Sequence, residues 1–485
     1  MFTPDYLVTF ILDEAGYRGE GILRRHCIDN SCGDGAFLCE IARRYCTAYT
    51  KIHGSIQGLQ AELQQYIHGI EIDPVAFACC KENVKITLEA YGISCGSIDI
   101  INGDTLTIHK FDNTMDFVVG NPPYVRVHNL EENFDSVKAY AFANGGMTDL
   151  YLVFFEIGLN MLRPGGKLCY ITPSSWINSV AGATLRQYIL TNRNLLSVID
   201  LEHFQPFKAT TYTMISLFER GAANRAFHYY RYCPQTAAKE FVSEIAFDDV
   251  SIKGYFYLAD KNTLADLKAI FTTPCKKYVS VKNGFATLAD DVFISADFPF
   301  TRFVIDTIKA STGKWYKAFF PYDSGGKPLP KDTIFSYPDI SDYLSGNKTL
   351  LLKGKTEAEQ PSWYLYGRTQ ALKDVASEKF AINTCIRDIK SIKLNLVASG
   401  QGVYSGLYIL SDILFDTISN ILLSEDFTAY VAALKKYKSG GYYTFNSKEL
   451  EAFLNYKIQQ LTDNGKIEIK RCDERESAQG YLPLF

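Results

Sequence analysis

Ile28-Asp29-Asn30-Ser31-Cys32-Gly33-Asp34-Gly35-Ala36-Phe37-Leu38 is an apolar run closing on an acid, a turn of small residues, and the start of a helix. Two glycines let the backbone pass close to a ligand, and the helix start offers unpaired N–H groups at the positive end of its dipole. A polar group is expected there. A dinucleotide fingerprint needs G-x-G-x-x-G, but Leu38 stands where the third glycine would be. For this segment alone, an ordinary tight strand-to-helix turn is the alternative reading.

Working outward, short apolar runs alternate with helix-length stretches through the first 220 residues. The predicted strands are Cys27–Asp29, Ile67–Ile72, Ile98–Asn102, Phe117–Val119, Lys167–Thr172, Leu196–Leu201 and Thr213–Phe218, with helices over Ala36–Thr47, Pro74–Tyr91 and Leu150–Leu162. Such alternation predicts an α/β fold with a mostly parallel sheet covered on both faces. After Arg220 the pattern changes to aromatic-rich segments broken by Gly and Pro, which places a domain boundary near 220–245.

The chain has 485 residues, 47% hydrophobic and 21% charged, and no apolar run long enough to span a bilayer, so no membrane association is expected. It opens at Met1-Phe2-Thr3-Pro4 without a signal-like segment, which predicts a cytoplasmic protein with nothing fused ahead of Thr3-Pro4. Twelve scattered cysteines without paired metal-ligand spacing read as reduced thiols, and no metal is expected. The net charge of −4 divides unevenly, −7 over residues 1–220 and +3 over the remainder. That asymmetry fits a first half that binds a cofactor and a second that touches phosphates.

Three further segments lie at strand ends. In Gly69-Ile70-Glu71-Ile72-Asp73-Pro74, Glu71 is placed to hold a ribose diol and Asp73 to cap the next helix, with Pro74 at its first position. In Asn102-Gly103-Asp104-Thr105, Asp104 can accept from an adenine amino group. In Val118-Val119-Gly120-Asn121-Pro122-Pro123-Tyr124, two consecutive prolines hold Asn121 rigidly at a strand end. The Asn121 side-chain oxygen and the Pro122 carbonyl can then accept from one amino group, and Tyr124 offers a flat face for a base.

In this order the segments resemble the S-adenosylmethionine-dependent amino-methyltransferases. The Asn-Pro-Pro-Tyr loop, with Thr3-Pro4 before the glycine turn and a long C-terminal region, is similar to the gamma-class (TaqI-like) DNA adenine-N6 methyltransferases of type II restriction-modification systems. Thr148-Asp149-Leu150-Tyr151, Pro164-Gly165-Gly166, Thr172-Pro173-Ser174-Ser175-Trp176 and Leu185-Arg186 extend the likeness across residues 1–220. It returns more faintly at Val281–Thr287, Leu352–Lys355 and Trp363–Gln370.

The resemblance implies a Rossmann-like, seven-stranded catalytic domain over 1–230 and a mixed α+β DNA target recognition domain over 245–485. It implies S-adenosylmethionine held by Thr3, Asp29, Ser31, Cys32, Gly33, Gly35, Glu71, Ile72, Asp104, Thr105, Asn121, Pro123 and Phe154. Asn121, Pro122, Pro123, Tyr124 and Phe207 would act on the target base, with Phe207 preferred to Phe204 as the aromatic opposite Tyr124. Three positions depart from the family pattern: Asn30 stands where proline is common, Asp34 where a small or hydroxyl residue is common, and Thr105 where an aromatic would help to stack the cofactor adenine.

Arg126, Lys353, Lys355, Trp363, Tyr366 and Arg368 are the expected DNA contacts, and the segment Arg126 to Met147 is long enough to close over DNA. The implied partners are double-stranded DNA, bound as a monomer, and a separate cognate restriction endonuclease. RNA adenine, protein glutamine and cytosine amino methylation are the alternative reactions; cytosine ring-carbon methylation would require a cysteine with better context than Pro274-Cys275. The different-class alternatives are a nuclease, for which Glu468-Ile469-Lys470 offers half a motif, and a non-catalytic DNA-binding specificity protein.

Overall fold

The computed structural model describes residues 3–93, 98–127, 137–143, 148–207, 211–353, 355–356 and 360–465. The chain forms two compact units, Met1–Asp266 and Leu267–Phe485.

The first unit is a nine-stranded sheet in the order β3-β2-β1-β4-β5-β7-β6-β8-β9. The strands are β1 (Cys27–Asp29), β2 (Ile67–Glu71), β3 (Asp99–Asn102), β4 (Met115–Gly120), β5 (Leu162–Pro173), β6 (Leu195–Asp200), β7 (Thr213–Glu219), β8 (Ala226–Cys233) and β9 (Ala238–Ala246). The first five are parallel to their neighbours, while β7 runs antiparallel between β5 and β6. All seven predicted strands are present within a few residues of their expected bounds.

Continuous apolar stretches form the central strands because both faces are covered: β1 is buried throughout and β7 nearly so. Helices α1 (Asp5–Ala15) and α2 (Ala36–His53) pack on one another, and α1 also meets β5. Helix Leu150–Met161 is apolar almost all round and correspondingly buried. In sheet order β1 lies between β2 and β4, so the chain leaves in opposite directions at that point. A crevice opens there beyond the carboxyl ends of the strands.

The seven-stranded expectation falls two strands short, and the sheet continues through the boundary expected near 220–245. Strand β8 pairs in parallel with β6, and β9 closes an antiparallel hairpin on β8, so the sheet runs to Ala246 and the unit to Asp266. The hairpin buries alternate residues on one face only. Its solvent face carries charge, so it lacks the apolar runs that mark the inner strands.

Leu267–Phe485 is mixed α+β, as expected. Strands 279–283, 407–411, 379–382 and 394–397 form one antiparallel sheet. Strands 294–295, 314–319, 304–309 and 402–404 form a second, mixed sheet in which 304–309 and 402–404 are parallel. The two family-like segments at 281–287 and 363–370 meet: Gln370 Nε2 donates to the Gly284 carbonyl at 2.7 Å and the Gly367 N–H to the Thr287 carbonyl at 2.9 Å. Among the described residues no helix is long and apolar enough to cross a membrane, and no His/Cys/Asp/Glu group could hold a metal ion. The described cysteines are free thiols. Glu468–Lys470 lie outside the described residues.

Arg186 is only 3% exposed, and its guanidinium donates to the carbonyls of Trp176 (2.6 Å), Ser179 (2.8 Å) and Gly254 (2.7 Å). It is therefore a structural clamp on two turns. Arg186→Met should strand three acceptors and lower the unfolding free energy by about 3 kcal/mol in denaturant titration.

Candidate active site

The glycine turn after β1 is shaped by close approach. Gly33 and Gly35 adopt φ of +54° and +92°, and a Cβ on Gly35 would lie 2.8 Å from Cys80 Sγ. Gly35 caps α2 without a side-chain bond, which leaves the helix N-terminus facing the crevice. The Gly33 N–H donates to Glu71 Oε2 at 2.8 Å, and Glu71 Oε1 accepts from the Asp73 N–H at 2.9 Å. Asp73 caps the helix Pro74–Glu89 by accepting from Val75 and Ala76, with Pro74 at the first position as predicted. Ile72 stands 57% exposed beside them and offers an apolar surface at the strand end.

The third loop supports the first two. Asn102 Nδ2 donates to the Glu71 carbonyl at 2.8 Å, a tie the sequence did not signal. Asp104 turns its own loop by accepting from the Leu106 N–H. Thr105 is buried and donates to the Asn30 carbonyl at 2.6 Å, a bond that holds its loop against the first. Asn30 has a physical reason to replace proline: its side-chain oxygen accepts from the Tyr170 hydroxyl at 2.8 Å.

The fourth loop lies against the first. Asp29 pairs in register with Val119, so Gly120 follows directly beside its carboxylate; a Cβ on Gly120 would sit 2.7 Å from Asp29 Oδ1. Asn121 then donates from Nδ2 to the Thr3 hydroxyl at 3.2 Å. Its other amide atom, Oδ1, is buried without a hydrogen-bond partner. Thr3 is itself buried, so the first turn of the chain folds onto the Asn-Pro-Pro-Tyr loop and fixes which amide atom is left to accept.

Tyr124 donates its hydroxyl to the Ile171 carbonyl at 3.1 Å, which anchors the ring from its far end. Burial, with Tyr151 beside it, holds its phenol well above the usual range. Phe207 lies 6.3 Å from Tyr124, edge to face at 83°, whereas Phe204 stacks on Tyr232. The structure thus brings Phe207 to Tyr124, although not parallel to it. Tyr151, bonded to Ser175, backs Tyr124 from the other side and was not among the expected site residues. Phe154 is buried on the same helix, Arg126 is exposed, and Lys208 to Thr210 lie outside the described residues.

The expected DNA contacts in the second unit divide. Trp363 and Tyr366 are buried in an aromatic core, with the Tyr366 hydroxyl on the Phe319 carbonyl, so they build that unit and present no surface. Lys355 spends its ammonium on the Leu365 carbonyl at 3.1 Å, which ties its own loop. Lys353 and Arg368 are exposed. Of the segment Arg126 to Met147, residues 128–136 and 144–147 lie outside the described residues; between them Tyr140 donates to the Leu106 carbonyl at 2.6 Å and Phe142 N–H to Glu156.

These features coincide with sequence likeness. Residues 65–207 match the family described as Eco57I restriction-modification methylase.

The chain is similar to the type II methyltransferase M.XhoI of Xanthomonas vasicola, 29% identical over 45% of this chain and 42% of that one. It is also similar to the type II methyltransferase M.BstVI of Geobacillus stearothermophilus, 30% identical over 43% of this chain and 39% of that one. The chain thus spans about two fifths of the length of these relatives. In fold it is similar to the type IIL restriction-modification enzyme MmeI, solved in complex with DNA, with a TM-score of 0.63 at 11% identity over 91% of this chain and 64% of that one.

Burial holds the Asp29 carboxyl up at about 7; the Ser31 N–H counteracts this, and Glu71 and Asp34 reinforce it. An unfolded aspartate ionises near 3.8, so the folded form retains a proton that the unfolded chain has lost between those values. Stability from this group is full below pH 3.8 and falls as pH rises through 7. Asp29→Asn should therefore raise the thermal midpoint of the ligand-free protein more at pH 8 than at pH 5; equal shifts would show that the carboxyl is not strained by burial.

Proposed function

We propose that this protein transfers a methyl group from S-adenosylmethionine to the N6 amino group of an adenine rotated out of duplex DNA, as the modification activity of a restriction-modification system. The observation that carries this is Asn121 Oδ1, a buried acceptor without a partner whose amide orientation is set by Thr3. A buried acceptor left unmade is costly, and a substrate amino group would satisfy it.

The residues around the crevice fit the cofactor. Gly33, with nothing within 4 Å of where a Cβ would stand, leaves backbone room for its methionine part, Glu71 is placed for the ribose hydroxyls, Ile72 offers an apolar face for the adenine ring, and Asp104 stands at the third strand's end. When bound, S-adenosylmethionine supplies an electrophilic methyl on a sulfonium. The rest is positioning by this chain.

The amino group of adenine is a weak nucleophile because its lone pair is delocalised into the ring. Asn121 Oδ1 and the Pro122 carbonyl would accept its two hydrogens and draw the nitrogen toward tetrahedral geometry, turning the lone pair out of the ring plane. Tyr124, held by Ile171, provides the stacking face that offsets the few kcal/mol of unstacking. For a base to lie between parallel rings, Phe207 turns from its edge-on position. The catalysis is orientation and electrostatics; Tyr124, its phenol held far above neutrality, neither gives nor takes a proton.

The reading is tested by mass spectrometry of nucleosides after incubation of duplex DNA with the protein and methyl-labelled S-adenosylmethionine. Labelled N6-methyladenine is expected, reduced at least ~100-fold by Asn121→Ala while cofactor binding persists. Label in cytosine, or only in RNA or protein offered in parallel, would overturn the assigned acceptor. Thr3→Val should lower kcat by ~10-fold with little change in cofactor affinity, since it frees the Asn121 amide to turn over; equal loss in both would place Thr3 on the cofactor instead.

A further inference from the structure

The second unit holds a cationic hairpin that the sequence reading passed over. Strands 304–309 and 314–319 pair so that Lys309 stands directly opposite Lys314. Like charges opposed across a ladder repel, and an anion beside them would offset that cost; Lys309 Nζ lies 5.9 Å from the centre of the Tyr404 ring. At the tip, a Cβ on Gly313 would lie 3.8 Å from Lys393 Cβ, which brings a third cation to the same end. Among the described residues none of these three lysines has a carboxylate partner. Lys317, on the opposite face of the strand, is paired with Asp306 at 2.7 Å.

The tip is also rigid and rich in hydroxyls. The Ala310 and Ser311 N–H groups donate to the carbonyls of Tyr404 and Ser405, both at 2.9 Å, and the Ser311 and Ser405 hydroxyls lie 3.1 Å apart. Ser405 adopts φ of +54°, and a Cβ on Gly406 would meet Ala310 Cβ at 2.5 Å, so the two turns are locked backbone to backbone. Ser311, Thr312, Lys314 and Ser405 are exposed, as is Trp315 at 45%. A preorganised edge of cations and hydroxyl donors is chemically matched to successive phosphates of a nucleic-acid backbone.

We propose that Lys309, Lys314 and Lys393, with the Ser311 and Ser405 hydroxyls, form a phosphate-contact edge through which this unit holds the backbone of duplex DNA. The assignment rests on the reading of the protein as a DNA methyltransferase. It concerns affinity and register rather than sequence readout, because phosphate contacts are the same at every site.

The test is the salt dependence of duplex binding by the full chain, measured by fluorescence anisotropy between 50 and 200 mM salt. Each phosphate contact contributes ~0.9 to the slope of log K against log salt. The triple variant Lys309→Gln, Lys314→Gln, Lys393→Gln should make the slope shallower by about 3 on target-containing and unrelated duplexes alike, with cofactor affinity unchanged and the thermal midpoint not lowered. The Lys→Arg triple should restore the slope. A charge-matched triple at Lys51, Lys85 and Lys110, whose ammonium groups already hold Glu20, Glu82 and Asp99, should leave it as in the parent.

An unchanged slope in the first triple, or an equal fall in the charge-matched one, overturns the hairpin assignment while the parent's own salt-dependent binding keeps the DNA reading. A parent protein that shows no duplex binding overturns both.

Discussion

The site depends on how closely β4 passes β1. Gly120 is held at φ +150°, and a side chain there would collide with the Asp29 carboxylate. Only glycine permits the two strand ends to converge, and their convergence puts the Asn-Pro-Pro-Tyr loop over the glycine turn. Every other feature of the crevice follows from it. Thr3 can reach Asn121, and Tyr124 can reach Ile171 on β5, because the loop leaves β4 at this point. Widening the gap by one methyl group would misplace the acceptor relative to any ligand lying on Gly33 and Gly35.

That convergence is secured by bonds between loops rather than by the core below. Gly33 holds Glu71, Asn102 holds the Glu71 carbonyl, Thr105 holds the Asn30 carbonyl, and Tyr170 holds the Asn30 side chain. The ends of β1, β2 and β3 are thereby tied into one rim, to which β5 is bonded through Tyr170. A rim fixed in this way keeps acceptors such as Asn121 Oδ1 at their costly, unsatisfied positions before any substrate arrives, which is the structural meaning of preorganisation. The buried acid at Asp29 belongs to the same economy of strain: its burial raises the energy of the ligand-free state, and a cation nearby would lower it.

The first unit was legible wherever local chemistry decided the structure. Apolar runs closing on turn residues marked β1 to β7, Asp73-Pro74 announced a helix start, and the double proline marked a rigid loop. What stayed hidden depended on partners remote in sequence. Nothing in Asn102 or Asn30 announces which carbonyl or hydroxyl it will meet 30 to 140 residues away. The β8–β9 hairpin was read as a boundary because an edge strand with one wet face carries the same mixed composition as a linker. Trp363 and Tyr366 were misplaced for a related reason: aromatic residues interleaved with lysines look alike whether they face a nucleic acid or, as here, fill a core.

Charge offers a corresponding lesson at larger scale. A net difference between −7 and +3 across the two parts of the chain is too small to choose a partner for either. Pairing discriminates better than totals, because an ammonium already holding a carboxylate has little left to offer a phosphate, whereas one held opposite another ammonium gains by binding any anion. By that criterion Lys51, Lys85 and Lys110 on the first unit are neutralised in place, while Lys309 and Lys314 oppose one another. The exposed cations that matter are thus set by strand register, a property of the folded ladder that no count along the sequence contains. A one-residue slip of that hairpin would turn the lysines to opposite faces and dissolve the cluster. The locked turn at Ser405 and Gly406, pinned against Ala310, is what forbids the slip.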